Sequence, residues 1–91
     1  MMKIHSKELK YMVTCSVGNR YATCLVDNFS KFDSTVLISR EWGRTVNAKS
    51  LIGVLSLQIQ AGEAITLTVE NENEEQLNKD CERIVRFMEE E

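Results

Sequence analysis

Ser50-Leu-Ile-Gly-Val-Leu-Ser-Leu-Gln-Ile59 is the stretch on which the fold turns. It is too long and too evenly apolar for an exposed strand. A serine suited to capping opens it and Ala61-Gly62 follows as a stop, so residues 50–59 read as a helix. Just downstream, residues 64–70 (AITLTVE) alternate cleanly, with Ile65, Leu67 and Val69 on one face and Thr66 and Thr68 on the other, which is a half-buried strand. Just upstream, residues 34–39 (STVLIS) are rich in β-branched side chains. They pair with residues 44–47 (RTVN) across Glu41-Trp42-Gly43, where glycine supplies the positive φ of a hairpin bulge.

The two ends complete the order. Near the C-terminus, Asn73 caps a helix with Gln76 in the capping-box position, and Leu77, Cys81, Ile84, Val85 and Met88 form one apolar stripe. Near the N-terminus, Ala22, Leu25, Val26 and Phe29 recur at helical spacing between Asn19, the expected cap, and Ser30. Before that helix, Tyr11, Val13 and Cys15 alternate with Met12, Thr14 and Ser16 as a first strand with one face inward, ended by Gly18. The order is β-α-β-β-α-β-α, an α+β open-faced sandwich in which three helices cover one face of a four-stranded antiparallel sheet. Residues 1–10 are left as a loosely ordered leader, and the acidic end, Glu89 to Glu91, is expected to fray at the helix C-terminus.

Composition narrows the function classes. With 91 residues, one domain spanning 1–91 is expected, because a second core needs roughly 50 more residues. The 43% hydrophobic and 27% charged residues are ordinary for a globular chain. Three cysteines, Cys15, Cys24 and Cys81, form no C-x-x-C pair and have no histidine nearby in sequence, so no disulfide framework, metal or cofactor is indicated; all three read as small core residues. No apolar run approaches the ~18 residues of a membrane span, residues 1–10 lack a signal-peptide centre, and a reducing cytoplasm is the default. A net charge of −3 with eleven scattered Lys and Arg argues against nucleic acid as a partner.

The segment Arg44-Thr-Val-Asn-Ala-Lys-Ser50-Leu-Ile-Gly-Val-Leu-Ser-Leu57 resembles the regulatory-serine segment of HPr, the histidine phosphocarrier of the bacterial sugar phosphotransferase system. The resemblance extends through Ala22-Thr-Cys-Leu-Val26, Ser30-Lys-Phe-Asp33 and Gly62-Glu-Ala-Ile-Thr66, and the element order is also that family's. The active loop departs from it. Where the family reads approximately G-I-H-A-R-P-A, this chain has Val17-Gly18-Asn19-Arg20-Tyr21-Ala22, so the phosphoacceptor histidine is absent. An ungapped match puts Gly18 in its place. A two-residue deletion keeps the parity of Tyr11, Val13 and Cys15 and is the preferred alignment. Either way Arg20 keeps the position of the family's phosphate-binding arginine, and Tyr21 replaces a proline.

Ser50 has a structural role in any case, as the cap of its helix, typically worth ~1 kcal/mol. The resemblance adds a regulatory role: a divergent member similar to the family's catabolite-repression paralogue, phosphorylated at Ser50 by an HPr kinase and binding a transcriptional regulator. Leu51, Ile52 and Leu55 correspond to the family's partner-docking surface, with Ile52 and Leu55 three apart on one outer stripe. Arg20 is the candidate for a residual anion site at the first turn of its helix. Two alternatives stand beside this reading. One is a constitutive interaction module, homodimerisation included. The other is a carrier using His5 or Cys15, although His5 reads as an exposed tail residue and nothing near Cys15 would activate a thiol. Trp42 at the hairpin tip reads either as an exposed contact or as packed back on the sheet. No enzymatic machinery is evident.

Overall fold

The computed structural model describes residues 3–89. Its elements are β1 (His5–Met12), α1 (Asn19–Phe29), β2 (Thr35–Arg40), β3 (Thr45–Asn47), α2 (Leu51–Ser56), β4 (Ala64–Asn71) and α3 (Glu74–Glu89). The strands form one antiparallel sheet in the order β1-β4-β2-β3, and the helices cover one face of it, as the β-α-β-β-α-β-α reading requires.

Strand β4 is central because its alternation is cleanest. Ile65, Leu67 and Val69 are all buried, and they sit opposite Arg40, Ile38 and Val36 of β2 and opposite Tyr11, Leu9 and Lys7 of β1. The pairs Val36–Val69 and Ile38–Leu67 put β-branched and leucine side chains on the helix-facing side, where cross-strand contact stabilises the sheet. From the helices, Leu25 and Phe29 of α1, Val54 of α2, and Leu77 and Ile84 of α3 complete this core. Each such burial contributes roughly 1.5–3 kcal/mol.

Several expectations are corrected. The supposed leader supplies the first strand: β1 begins at His5 and ends at Met12, so the inward face runs His5, Lys7, Leu9, Tyr11 and on to the buried Val13. Cys15 lies beyond the strand in a bend and is exposed, and Cys24 is exposed too, 140° from the buried Ala22–Leu25–Phe29 side of α1 when counted at about 100° per residue. Only Cys81 is buried among the three. Helix α2 is shorter than expected. It ends at Ser56, after which Gln58 turns into the left-handed region at φ 52° and Leu57 and Ile59 drop into the core. The positive φ expected at Gly43 is found at Gly62 instead, at φ 90°. Glu89 is helical, whereas Glu90 and Glu91 lie outside the described residues.

Helix α3 also carries a buried polar knot that its apolar stripe hides. Asp80 on α3 is wholly buried and accepts from the Ser34 amide (3.0 Å), the Ser34 hydroxyl (2.6 Å) and Gln76 Nε2 (2.9 Å). Asn71 Nδ2 in turn donates to Ser34 Oγ at 3.0 Å. This ties the start of β2 and the end of β4 to α3. It also diverts Gln76 from a capping box: Asn73 Oδ1 caps α3 by accepting from the Gln76 amide (3.0 Å), but the Gln76 side chain is spent on Asp80.

Candidate functional site

Two helix starts are the candidate sites, on helices α1 and α2, which pack against each other. The first is reached by the loop from Val13 to Gly18, which is held at both ends by main-chain bonds. The Val13 amide donates to Glu63 O (2.8 Å), the Gly62 amide donates to Val13 O (2.7 Å), and the Val17 amide donates to Ile59 O (2.9 Å). Val13 and Val17 are buried, so Thr14, Cys15 and Ser16 arch outward between two anchors.

Gly18, not Asn19, is the N-cap of α1, and no side chain accepts from the first-turn amides. Asn19 is the first helical residue. Its expected capping role fails because the chain turns helical one residue earlier than the asparagine side chain needs. A Cβ added at Gly18 meets nothing within 4 Å, and its φ of −93° suits any L-residue. The preferred deletion in the loop loses its footing: it rested on Cys15 facing inward, and Cys15 is exposed outside the strand.

Around this helix start lies a shallow groove of about 500 Å³ lined by Cys15, Ser16, Arg20, Tyr21 and Cys24 among others. Arg20 is exposed and, among the described residues, forms no ion pair. His5 is elsewhere. It is partly buried at the opposite end of β1, seven residues before Met12 and therefore roughly 23 Å away along the strand. Its Nδ1 lies 3.6 Å from Glu74 Oε2. It is a strand residue next to α3, not a tail, and it does not meet the first turn of α1. Burial pushes the Cys81 thiol above its ordinary range, with Lys7 pulling the other way, so it is no nucleophile at neutral pH.

The second helix start is complete. Ser50 has extended backbone (φ −107°, ψ 114°) and its Oγ accepts from the Gly53 amide at 3.2 Å. The approach is fixed by neighbours that carry no obvious motif. Asn47 Oδ1 accepts from the Lys49 amide (2.9 Å), an Asx turn feeding the cap, and Lys49 Nζ donates to Phe32 O at 2.7 Å. At the far end of α2, Arg40 pairs with Glu63 (2.7 Å) and donates through Nη1 to Leu57 O (3.1 Å), fixing the exit. The asparagine two residues before Lys49 was the one sequence signal for this; the Arg40 and Lys49 contacts span 17 or more residues and leave none.

The three docking candidates separate. Ile52 is 82% exposed and Leu51 38%, whereas Leu55 is half-buried and packs on the core. The expected outer stripe of Ile52 with Leu55 is therefore corrected to a patch of Leu51 and Ile52 flanking Ser50. Gly53 sits close beneath, where a Cβ would come 3.3 Å from Ser50 Oγ, so the hydroxyl is held between its own helix and solvent. Trp42, at 88% exposure, stands out from the hairpin tip and does not pack back on the sheet.

No cluster of three or more metal-ligating side chains occurs among the described residues, and none of the described helices is long and apolar enough to cross a membrane.

Comparison with known proteins agrees with this geometry. The family profile described as PTS HPr component phosphorylation site matches residues 8–90. The HPr-like protein Crh of Halalkalibacterium halodurans is 32% identical over 85 residues, covering 93% of this chain and 96% of that one. The HPr-like protein Crh of Bacillus subtilis is 32% identical over 72 residues, covering 79% and 80%. Among solved structures, the phosphocarrier protein HPr of Bacillus anthracis superposes with a TM-score of 0.65 at 30% identity, covering 85% of this chain and 90% of that one. HPr-C-His from Thermoanaerobacter tengcongensis gives 0.64 at 28% identity, covering 82% and 83%. A fold of four antiparallel strands under three helices, a helix start at Gly18 beside Arg20, and these relatives along most of its length make this chain a member of the HPr family, similar to the Crh proteins.

Proposed function

We propose that this HPr-family protein is a regulatory member that does not carry phosphohistidine and is instead switched at Ser50. A dedicated HPr kinase would transfer the γ-phosphoryl group of ATP to Ser50 Oγ, releasing ADP and the hydroxyl proton, and the product would bind a protein partner of the transcriptional-regulator class in the cytoplasm. Protein partners follow from family membership; the kinase and the regulator are part of the proposal.

One observation carries the reading: Ser50 Oγ caps α2 directly beside the exposed Ile52 and Leu51, while the cap of α1 is a glycine with no nucleophile. A phosphoserine brings roughly −1.5 to −2 charge and three acceptor oxygens. The Gly53 amide already points at Oγ and retains an acceptor after modification. The six-residue α2 has a weak dipole, so the main consequence is charge set against an apolar patch. A partner with guanidinium groups beside an apolar pocket then gains charge-assisted bonds that the unmodified protein cannot offer.

Incubation with ATP and an HPr kinase should add one phosphate by mass, abolished by Ser50→Ala. A phosphate that persists in Ser50→Ala, or none in the wild type, would sink the proposal. The exposure of Ile52 without any modification supports a second reading, a constitutive docking module. Partner affinity unchanged by both Ser50→Ala and Ser50→Asp would favour it.

A further inference from the structure

A second site lies away from both helix starts. Between the end of α1 and the outer side of α3 is a pocket of about 260 Å³ lined by Asn28, Lys31, Phe32, Arg83, Arg86 and Phe87. For a chain of net charge −3 its lining is unusual: three cations and no carboxylate. Among the described residues, none of the three is in an ion pair. The Arg83 guanidinium lies 5.6 Å from the Phe32 ring centroid, a stacking that orients it and leaves its N–H groups free to donate. Lys49 is not available here to add a charge, being held by the Phe32 carbonyl. Asn28 Oδ1 is buried without a hydrogen-bond partner, a group that calls for one.

Basic residues at helix C-termini also have a plain structural role, offsetting the dipole. Here that role leaves charge over. The ends of α1 and α3 bring about half a negative charge each, against three cations in the pocket lining. The volume equals that of roughly nine waters, room for a phosphoryl group with a small organic body against Phe87 and Phe32.

We infer that the Asn28–Lys31–Arg83–Arg86 pocket binds a phosphate-bearing small molecule. The guanidinium groups and the ammonium hold the phosphoryl oxygens, and the organic body lies against Phe87 and Phe32. The site is independent of the switch proposed at Ser50.

The test is a titration of the ¹⁵N-labelled protein with glycerol 3-phosphate and, separately, inorganic phosphate, at constant ionic strength held with chloride. Saturable amide shifts confined to the Asn28, Lys31, Phe32, Arg83, Arg86 and Phe87 region are expected for both. Tighter binding of glycerol 3-phosphate would assign the organic body to the rings; equal binding would assign the phosphoryl group alone. The exposed double variant Arg83→Gln/Arg86→Gln should weaken binding by about tenfold or more, while Lys79→Gln, on α3 but outside the pocket, should not. Unsaturating shifts, equal weakening by Lys79→Gln, or an acidic peptide that binds more tightly with shifts spread along α3 would overturn the assignment.

Discussion

The starts of α1 and α2 are built alike, each an extended N-cap residue entering a helix over the same core, yet their caps differ in one atom group that decides their chemistry. At α2 a serine hydroxyl satisfies a first-turn amide and is, in the function proposed above, the phosphoryl acceptor. At α1 a glycine does neither, and Arg20 is exposed in the first turn. Fold and scaffold are therefore poor guides to which site works, and the cap side chain is the better one.

The comparison breaks most visibly if the missing side chain is restored. Gly18→His places an imidazole at the N-cap of α1 where a Cβ has open space. Wild-type protein with phosphoenolpyruvate and the first enzyme of the phosphotransferase system should gain no phosphate, whereas Gly18→His should gain an acid-labile one. If it stays unmodified, the fault extends beyond one side chain, and Gly18→His/Tyr21→Pro becomes the discriminating variant, since proline is tolerated in a first helical turn. Acceptance by the wild type would mean that the two helix starts are not divided as argued.

A smaller effect is expected at the intact cap. Ser50→Ala leaves the Gly53 amide without its acceptor and should lower stability by about 1 kcal/mol, a fall in Tm of roughly 4–8 °C for a domain of this size. Ser50→Asp keeps an acceptor and should lose little. An Ala variant as stable as wild type would mean that Oγ contributes nothing as a cap and that the hydroxyl serves another purpose alone.

How much of this was readable beforehand follows from how each element buries itself. Strand β4 and helix α3 were legible because Ile65, Leu67 and Val69, and Leu77, Cys81 and Ile84, put apolar groups at the period of their element. Strand β1 was misplaced because it is an edge: its inward residues His5, Leu9 and Tyr11 are only partly covered and Lys7 is exposed, so its sequence resembles a polar leader. The end of α2 was overrun because Leu57, its C-cap, and Ile59 beyond it are core residues, indistinguishable by composition from another helical turn. Asp80 was the missed signal that lay in plain view. It is a carboxylate three residues after Leu77 on the stripe facing the core, and such a residue needs buried partners, which Ser34 and Gln76 supply. At the candidate site, Ser50 was legible through its segment, whereas the split of Leu55 from Ile52 depends on packing that spacing alone does not set.

The smallest expected effect tests the glycine cap directly. Gly18→Ser puts a hydroxyl where α2 already has one, at a backbone conformation serine adopts freely and with no neighbour to displace. Serine exceeds glycine at an N-cap by only a few tenths of a kcal/mol, and the loss of glycine's freedom in the unfolded chain adds about 0.4–1 kcal/mol. The variant should thus unfold at slightly higher urea with an unchanged denaturant slope. If it is instead destabilised, the loop from Val13 to Gly18 needs glycine for a reason other than the lost histidine. Combined with Ser50→Ala, the two changes should add. Because α1 and α2 touch, a departure of more than about 0.5 kcal/mol from additivity would show that the two caps are coupled and that a charge at Ser50 is felt at the start of α1.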